Sequence, residues 1–123
     1  MARIAASCSE EVTDQVDIFR SSFYRILFTR LRFQFVAIRN KTDAPIPGPL
    51  AFVIADLRNA VFLGSDLKTF CFSPDGDPFV VIHAGSDDVL SPNEAVLAFL
   101  LFYKTQPVRI TYTPRLLSGI PTQ

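Results

Sequence analysis

The sequence predicts an all-β fold, a two-sheet sandwich of about seven strands, and three observations carry that prediction. Short apolar runs recur at roughly regular spacing along the chain, and Gly- and Pro-containing turn signals separate them. No stretch shows a convincing helical period, which leaves strands as the repeating element. The third observation is the unbroken apolar run Ala95 to Tyr103. A strand sends successive side chains to opposite faces. Val96, Ala98, Leu100 and Phe102 therefore share one face, while Leu97, Phe99, Leu101 and Tyr103 share the other. One such face fills a core, and the second needs a further partner. A closed barrel is the second architecture this pattern admits.

The elements follow in order. Residues 1–11 carry no period and read as a lead-in, 12–119 as the sandwich, and 120–123 as a tail. Val12 to Arg20 alternates Val12, Asp14, Val16 and Ile18 against Thr13, Gln15, Asp17 and Phe19, with Asp14 the misfit, and suits an edge strand. Arg30 to Arg39 is a longer strand that stops at the polar cluster Asn40 to Asp43. Ala44 to Pro49 holds three prolines, which suit neither a central ladder nor a helix interior, so it reads as a loop. Leu50 to Leu57 is apolar on both parities. Ala60 to Leu63 and Thr69 to Phe72 are short runs around Gly64 to Asp66. Ser73 to Pro78 is a strong turn, Phe79 to His83 a compact strand, and Ala84 to Asp88 closes it. Leu90 to Glu94 turns the chain into the apolar strand, and Lys104 to Pro107 separates that strand from Val108 to Leu117. There Val108, Ile110 and Tyr112 alternate with Arg109, Thr111 and Thr113.

Composition narrows the function classes. The 123 residues suit one domain with one core, 49% are apolar, and the formal net charge is zero. Neither disorder nor a strongly electrostatic binder fits that balance, and near-zero charge beside an exposed apolar face favours self-association. Five arginines between residues 20 and 39 interleave with Phe23, Tyr24, Phe28, Phe33 and Phe35. Such interleaving serves nucleic-acid binding in some proteins, but arginines on the wet face of a strand are the ordinary reading, and no nucleic-acid partner is expected. Cys8 and Cys71 are far apart and define neither a disulfide framework nor a zinc site; Cys71, between Phe70 and Phe72, reads as a small buried hydrophobe. The apolar stretch before Cys8 is too short for a signal-peptide core, and the run 95–103 is far below the roughly 20 residues of a transmembrane helix.

Several segments together resemble a known type of domain. Leu90-Ser-Pro-Asn-Glu94, the apolar strand after it, and Pro107-Val-Arg-Ile-Thr-Tyr-Thr-Pro-Arg-Leu-Leu-Ser-Gly119 are similar to the immunoglobulin-like β-sandwich modules of bacterial secreted and cell-surface proteins. Arg39-Asn-Lys-Thr42 and Ala44-Pro-Ile-Pro-Gly-Pro-Leu50 fit the same pattern, so the resemblance spans about residues 12–119, with 110–119 its most specific part. It implies a spacer, adhesion or ancillary domain without an active site, placed outside the cell or at its surface. In such modules the last long strand before the Pro turn alternates apolar residues with threonine. Here Leu97, Phe99 and Leu101 stand at the threonine positions, and Phe35 and Ala37 do so in the earlier strand.

The outward row Phe35, Ala37, Leu97, Phe99, Leu101 and Tyr103 is therefore the candidate interface. A patch of several hundred Å² marks an interaction surface, and burying it contributes on the order of 10 kcal/mol before the costs of association. The expected partner is another copy or a neighbouring domain of an assembly; cover by the chain's own N-terminal segment is the alternative. Arg32 and Arg39 beside that face are candidates to fix orientation, with Asp43 and the Asp75 to Asp77 loop as acidic partners. His83, the only histidine, ends an apolar strand and reads as structural; a hydrolase built around it lacks a Gly-x-Ser-x-Gly elbow. Asp75, Asp77, Asp87 and Asp88 supply oxygen ligands of the kind calcium takes, without matching an EF-hand loop. No Gly-rich phosphate loop is present, so neither cofactor nor catalytic residue is expected. The predicted role is a non-enzymatic structural subunit of a surface, filamentous or particle-like assembly. A monomeric adhesion or carbohydrate-binding module is the alternative, and the lack of tryptophan weighs against it.

Overall fold

A computed structural model describes residues 10–65, 67–69 and 76–119. Its strands are β1 (Glu10–Glu11), β2 (Val16–Arg20), β3 (Tyr24–Arg25), β4 (Leu31–Asn40), β5 (Ile46–Pro47), β6 (Leu50–Arg58), β7 (Ala60–Phe62), β8 (Phe79–Ile82), β9 (Val89–Leu90), β10 (Ala95–Lys104) and β11 (Thr111–Ser118). Seven of these are three residues or longer, the number the sequence predicts. They form two antiparallel sheets. Sheet I runs β1-β11-β6-β8, and sheet II runs β2-β4-β10-β7 with β3 also on β4; β5 and β9 make a small separate pair. The protein is an all-β sandwich.

Parity places the core between the sheets. Val36 and Ile38 of β4 and Leu100 and Phe102 of β10 are fully buried against Leu50, Phe52 and Ile54 of β6 and Leu116 of β11. Strand β6 is buried on both sides, as its unbroken apolar run requires: Ala51, Val53 and Ala55 join Phe79 and Leu117 in a second, smaller cluster. The long strands β4 and β10 pair over their whole length, with Val96 opposite Ile38, Ala98 opposite Val36 and Phe99 opposite Phe35.

Three expectations change. The predicted edge strand Val12 to Arg20 begins instead with a 3-10 turn, Thr13–Gln15, closed by Gln15 N–H donating to the Val12 carbonyl at 2.9 Å. The turn buries both Val12 and Val16 and leaves Asp14 exposed, which resolves the misfit of a strict alternation. The Ala44 to Pro49 loop contains β5, whose Ile46 is buried and pairs with Leu90. Gly48 follows because a Cβ there would stand 2.6 Å from the Asp88 carbonyl oxygen. The lead-in 1–11 gives its last two residues to sheet I, where Glu11 lies opposite Leu117 and takes two hydrogen bonds from Arg115, the shorter 2.7 Å. Val108 is exposed, whereas Ile110 and Tyr112 are buried as their alternation predicts. The run Thr69 to Phe72 and the turn Ser73 to Pro78 lie partly outside the described residues, and Cys8 and Cys71 lie wholly outside them.

Two polar side chains tie β4 to its surroundings, Asn40 at its end and Gln34 within it. Asn40, fully buried, donates to the Ala44 and Leu90 carbonyls at 2.8 and 2.9 Å and accepts from Thr42 N–H at 2.9 Å, so it fixes the turn that leaves β4. Gln34 accepts the Tyr112 hydroxyl proton across the two sheets and donates to the Ser21 carbonyl at 2.8 Å. Ser21 to Phe23 interrupt the pairing between β2 and β3 along β4: Ser21 N–H donates to the Phe35 carbonyl at 2.9 Å, and Phe23 turns inward against Phe102, 5.4 Å between ring centroids.

Candidate functional site: the outer face of sheet II

The outer face of sheet II is built from the odd-numbered positions of β4 and β10. Antiparallel register sets Leu97 beside Ala37, Phe99 beside Phe35 and Leu101 beside Phe33. These pairs repeat along two ten-residue strands, so the apolar row is continuous and not scattered. Leu97 is 73% exposed, Phe99 59%, Phe35 44% and Tyr103 43%, while Leu101 and Ala37 are half-buried. All six predicted interface residues thus lie on one face of one sheet.

Sequence reasoning missed four neighbours that enlarge the face. Phe33 shares the parity of Phe35 in β4, so its place was readable from the alternation already used. Phe19 lies opposite Ala37 and is 78% exposed; the alternation of β2 sets it on the side away from Val16, which is the outer side. Val61 of β7 lies opposite Tyr103 and is exposed. Tyr24 lies opposite Phe33 through β3, a two-residue strand that no period announces.

Four rings make the centre of the face. Phe33 stacks on Phe99 at 5.1 Å, Phe35 meets Phe99 edge-on at 5.0 Å, and Tyr24 lies 5.2 Å from Phe33. Aromatic pairs at these distances gain about 0.5–1.5 kcal/mol beyond area burial, so the platform is pre-ordered in the isolated chain. Its charged margin is internally paired: Arg39 donates to Asp17 at 3.2 Å, and Lys41 stands 3.9 Å from the same carboxylate. Arg39 therefore meets an acid on its own sheet, whereas Arg32, at an even position of β4, does not border this face as expected: it turns Nη1 to the Thr29 and Leu31 carbonyls at 3.0 Å and lines a cleft with Ile18, Gln34 and Tyr112. Leu27 and Phe28 project at the tip of the hairpin between β3 and β4, Phe28 almost wholly exposed.

The other candidates are not assembled into a site. Asp77 precedes β8, and Asp87 and Asp88 follow it, so the acidic candidates sit at opposite ends of that strand; Asp75 lies outside the described residues. Burial raises the Asp77 carboxyl above its ordinary value. Asp88 is engaged locally, its oxygens meeting His83 Nδ1 and Ala84 N–H at 3.1 Å, and Asp87 accepts from Val89 N–H at 3.2 Å. Among the described residues no group of three or more His, Cys, Asp or Glu is placed to hold a metal ion. His83 is exposed on a loop and lines neither the cleft around Arg20 and Tyr112 nor the one around Phe19 and Ala37. Among the described residues no helix is long and apolar enough to cross a membrane. Compared with known proteins, the chain matches no family model and no curated protein sequence.

Proposed function

We propose that this chain is a non-enzymatic, immunoglobulin-like assembly module that associates with further copies of itself through the outer face of sheet II. One observation carries the reading: two full-length neighbouring strands present large apolar side chains outward in register, with Phe99 and Phe35 paired at its centre. Sheet faces turned to water alternate with polar residues, and a contiguous apolar patch of this kind marks an interaction surface. A zero net charge puts no long-range repulsion between copies. Face-to-face packing of such sheets at about 10 Å is the same arrangement that holds a sandwich together. The resemblance to bacterial secreted modules supports a place outside the cell or on its surface, and the apolar face supports a filament or particle there.

Sedimentation of the purified chain over a range of concentrations tests the reading. The expected result is a dimer or larger species that becomes monomeric in the double variant Phe99→Thr/Leu101→Thr, with circular dichroism and melting temperature preserved. Threonine suits a solvent-facing strand position, so the fold has no reason to fail. A clean monomer at high concentration for the parent chain defeats the reading. Unfolding of the double variant defeats it too, because those side chains then belong to the chain's own core. A monomer that binds soluble oligosaccharides through the ring platform points to the adhesion alternative.

A further inference from the structure

The second feature of the surface is a cleft of about 870 Å³ where the two sheets part, between the β2–β3 edge of sheet II and the start of β11 in sheet I. Ser21 to Phe23, between β2 and β3, form one wall of it, and the hydrogen-bonded polar pair Gln34 and Tyr112 lies among its lining. Four cations line it: Arg20, Arg32, Lys104 and Arg109. No acidic side chain is among its described lining residues, and none of the four forms an ion pair among the described residues. The acids lie elsewhere. Asp43, Asp87, Asp88 and Glu94 sit on the loops at the far end of β4 and β10. A chain of zero net charge has therefore gathered four like charges around one concavity, an arrangement that costs repulsion unless an anion is present.

Arg20 shows how the cleft holds its cations in place. Its guanidinium lies 4.9 Å from the Tyr112 ring centroid and donates through Nη1 to the Tyr112 carbonyl at 3.2 Å. A guanidinium fixed on an aromatic face keeps further N–H groups for an oxyanion, and arginine suits bidentate contact with phosphate or carboxylate. The volume falls within the range of small-molecule sites. We infer that this cleft binds a small organic anion carrying phosphate or carboxylate groups, with Arg20, Arg32, Lys104 and Arg109 as its charge partners.

Titration calorimetry and thermal melting with pyrophosphate and with citrate, at constant ionic strength, test this on the full chain. The expected result is saturable binding of at least one probe, which identifies phosphate or carboxylate as the preferred group, and a melting temperature that rises with its concentration. Sodium chloride at matched ionic strength leaves the melting temperature unchanged. The double variant Arg32→Gln/Arg109→Gln weakens binding at least tenfold, whereas Arg58→Gln, outside the cleft, does not. Absence of saturable binding by both probes overturns the inference, as does equal binding by the double variant. Salt-sensitive association of copies that disappears in the double variant, without anion binding, also overturns it, since the cleft then receives the acidic loops of another copy.

Discussion

Gln34 stands at an inward position of β4, between sheets that are otherwise apolar, and its amide has a partner on each side. It accepts a hydrogen bond from the Tyr112 hydroxyl and donates one to the Ser21 carbonyl. Burial pushes the Tyr112 phenol up to about 12, against the opposing effect of Arg20. The sign of the resulting pH dependence is fixed. The unfolded chain releases this proton near pH 10, while the folded chain holds it until about pH 12, so stability contributed by the neutral phenol is complete below pH 10 and is lost as pH rises to about 12. A two-unit shift corresponds to about 2–3 kcal/mol. Denaturant unfolding across that range, read beside tyrosinate absorbance, is expected to show this loss in the parent chain and not in Tyr112→Phe. The variant itself loses about 1–3 kcal/mol at neutral pH because Gln34 is left with an unpaired oxygen. Neither role was legible in the sequence. The alternation shows that Tyr112 points inward, but not that a glutamine 78 positions away receives its hydroxyl.

The long strands were the most legible elements, because period-two patterning needs only local information. Ala95 to Tyr103 and Arg30 to Arg39 differ from the observed β10 and β4 by one residue at most at each end. Their pairing adds the register that brings Phe99 to Phe35. The short elements were illegible for a physical reason: β1, β3, β5 and β9 have two residues each, and two residues have no period. Their positions come from tertiary partners. In β1 that partner is Arg115, which donates to both carboxylate oxygens of Glu11 and holds its pKa below the ordinary carboxylate value, with Thr13 adding a further hydrogen bond. A depressed carboxyl contributes stability above its unfolded pKa and loses it as pH falls through the folded one. Both side chains are partly exposed, so screening limits the gain to about 0.5–1 kcal/mol. Glu11→Gln is expected to lower stability by no more than that at pH 7. In chemical denaturation it also flattens the decline between pH 5 and pH 3, a range chosen around the ordinary carboxylate pKa of about 4.3.

At the scale of the molecule, one sheet has covered its outer side and the other has not. Sheet I buries Val53, Phe79 and Leu117, whereas sheet II leaves Leu97 and Phe99 in water. In the association proposed above the driving force is apolar burial, so raising ionic strength is expected to leave the sedimentation profile unchanged or shifted to larger species. Dissolution of the assembly by salt would identify charge pairing as the driving force instead. The face was partly legible: Leu97, Phe99, Leu101, Phe35 and Ala37 at threonine positions, with Tyr103 on the same parity, pointed to six of its members, while Tyr24 and Val61 join it only through folding. The cationic cleft was less so. Its residues come from four separate segments, and the clustering of arginines between 20 and 39 gave only a regional excess of charge.

The interruption at Ser21 to Phe23 bears on the kind of assembly proposed above. It divides one flank of sheet II into pieces of five and two residues, and the other edge strands, β1, β7 and β8, have two, three and four. Strand β10 is flanked on both sides only at Phe102 to Lys104, where β7 joins it, and over Ala95 to Leu100 it pairs among the described strands with β4 alone. That stretch is the longest open edge of sheet II among the described strands, whereas the short edges elsewhere are of the kind by which β proteins avoid runaway ladder growth. On the reading proposed above, copies have two ways to meet: through side chains across the outer face, or through backbone pairing along this edge. The first gives a stack of folded units that separates on dilution, and the second gives a continuous ladder that does not.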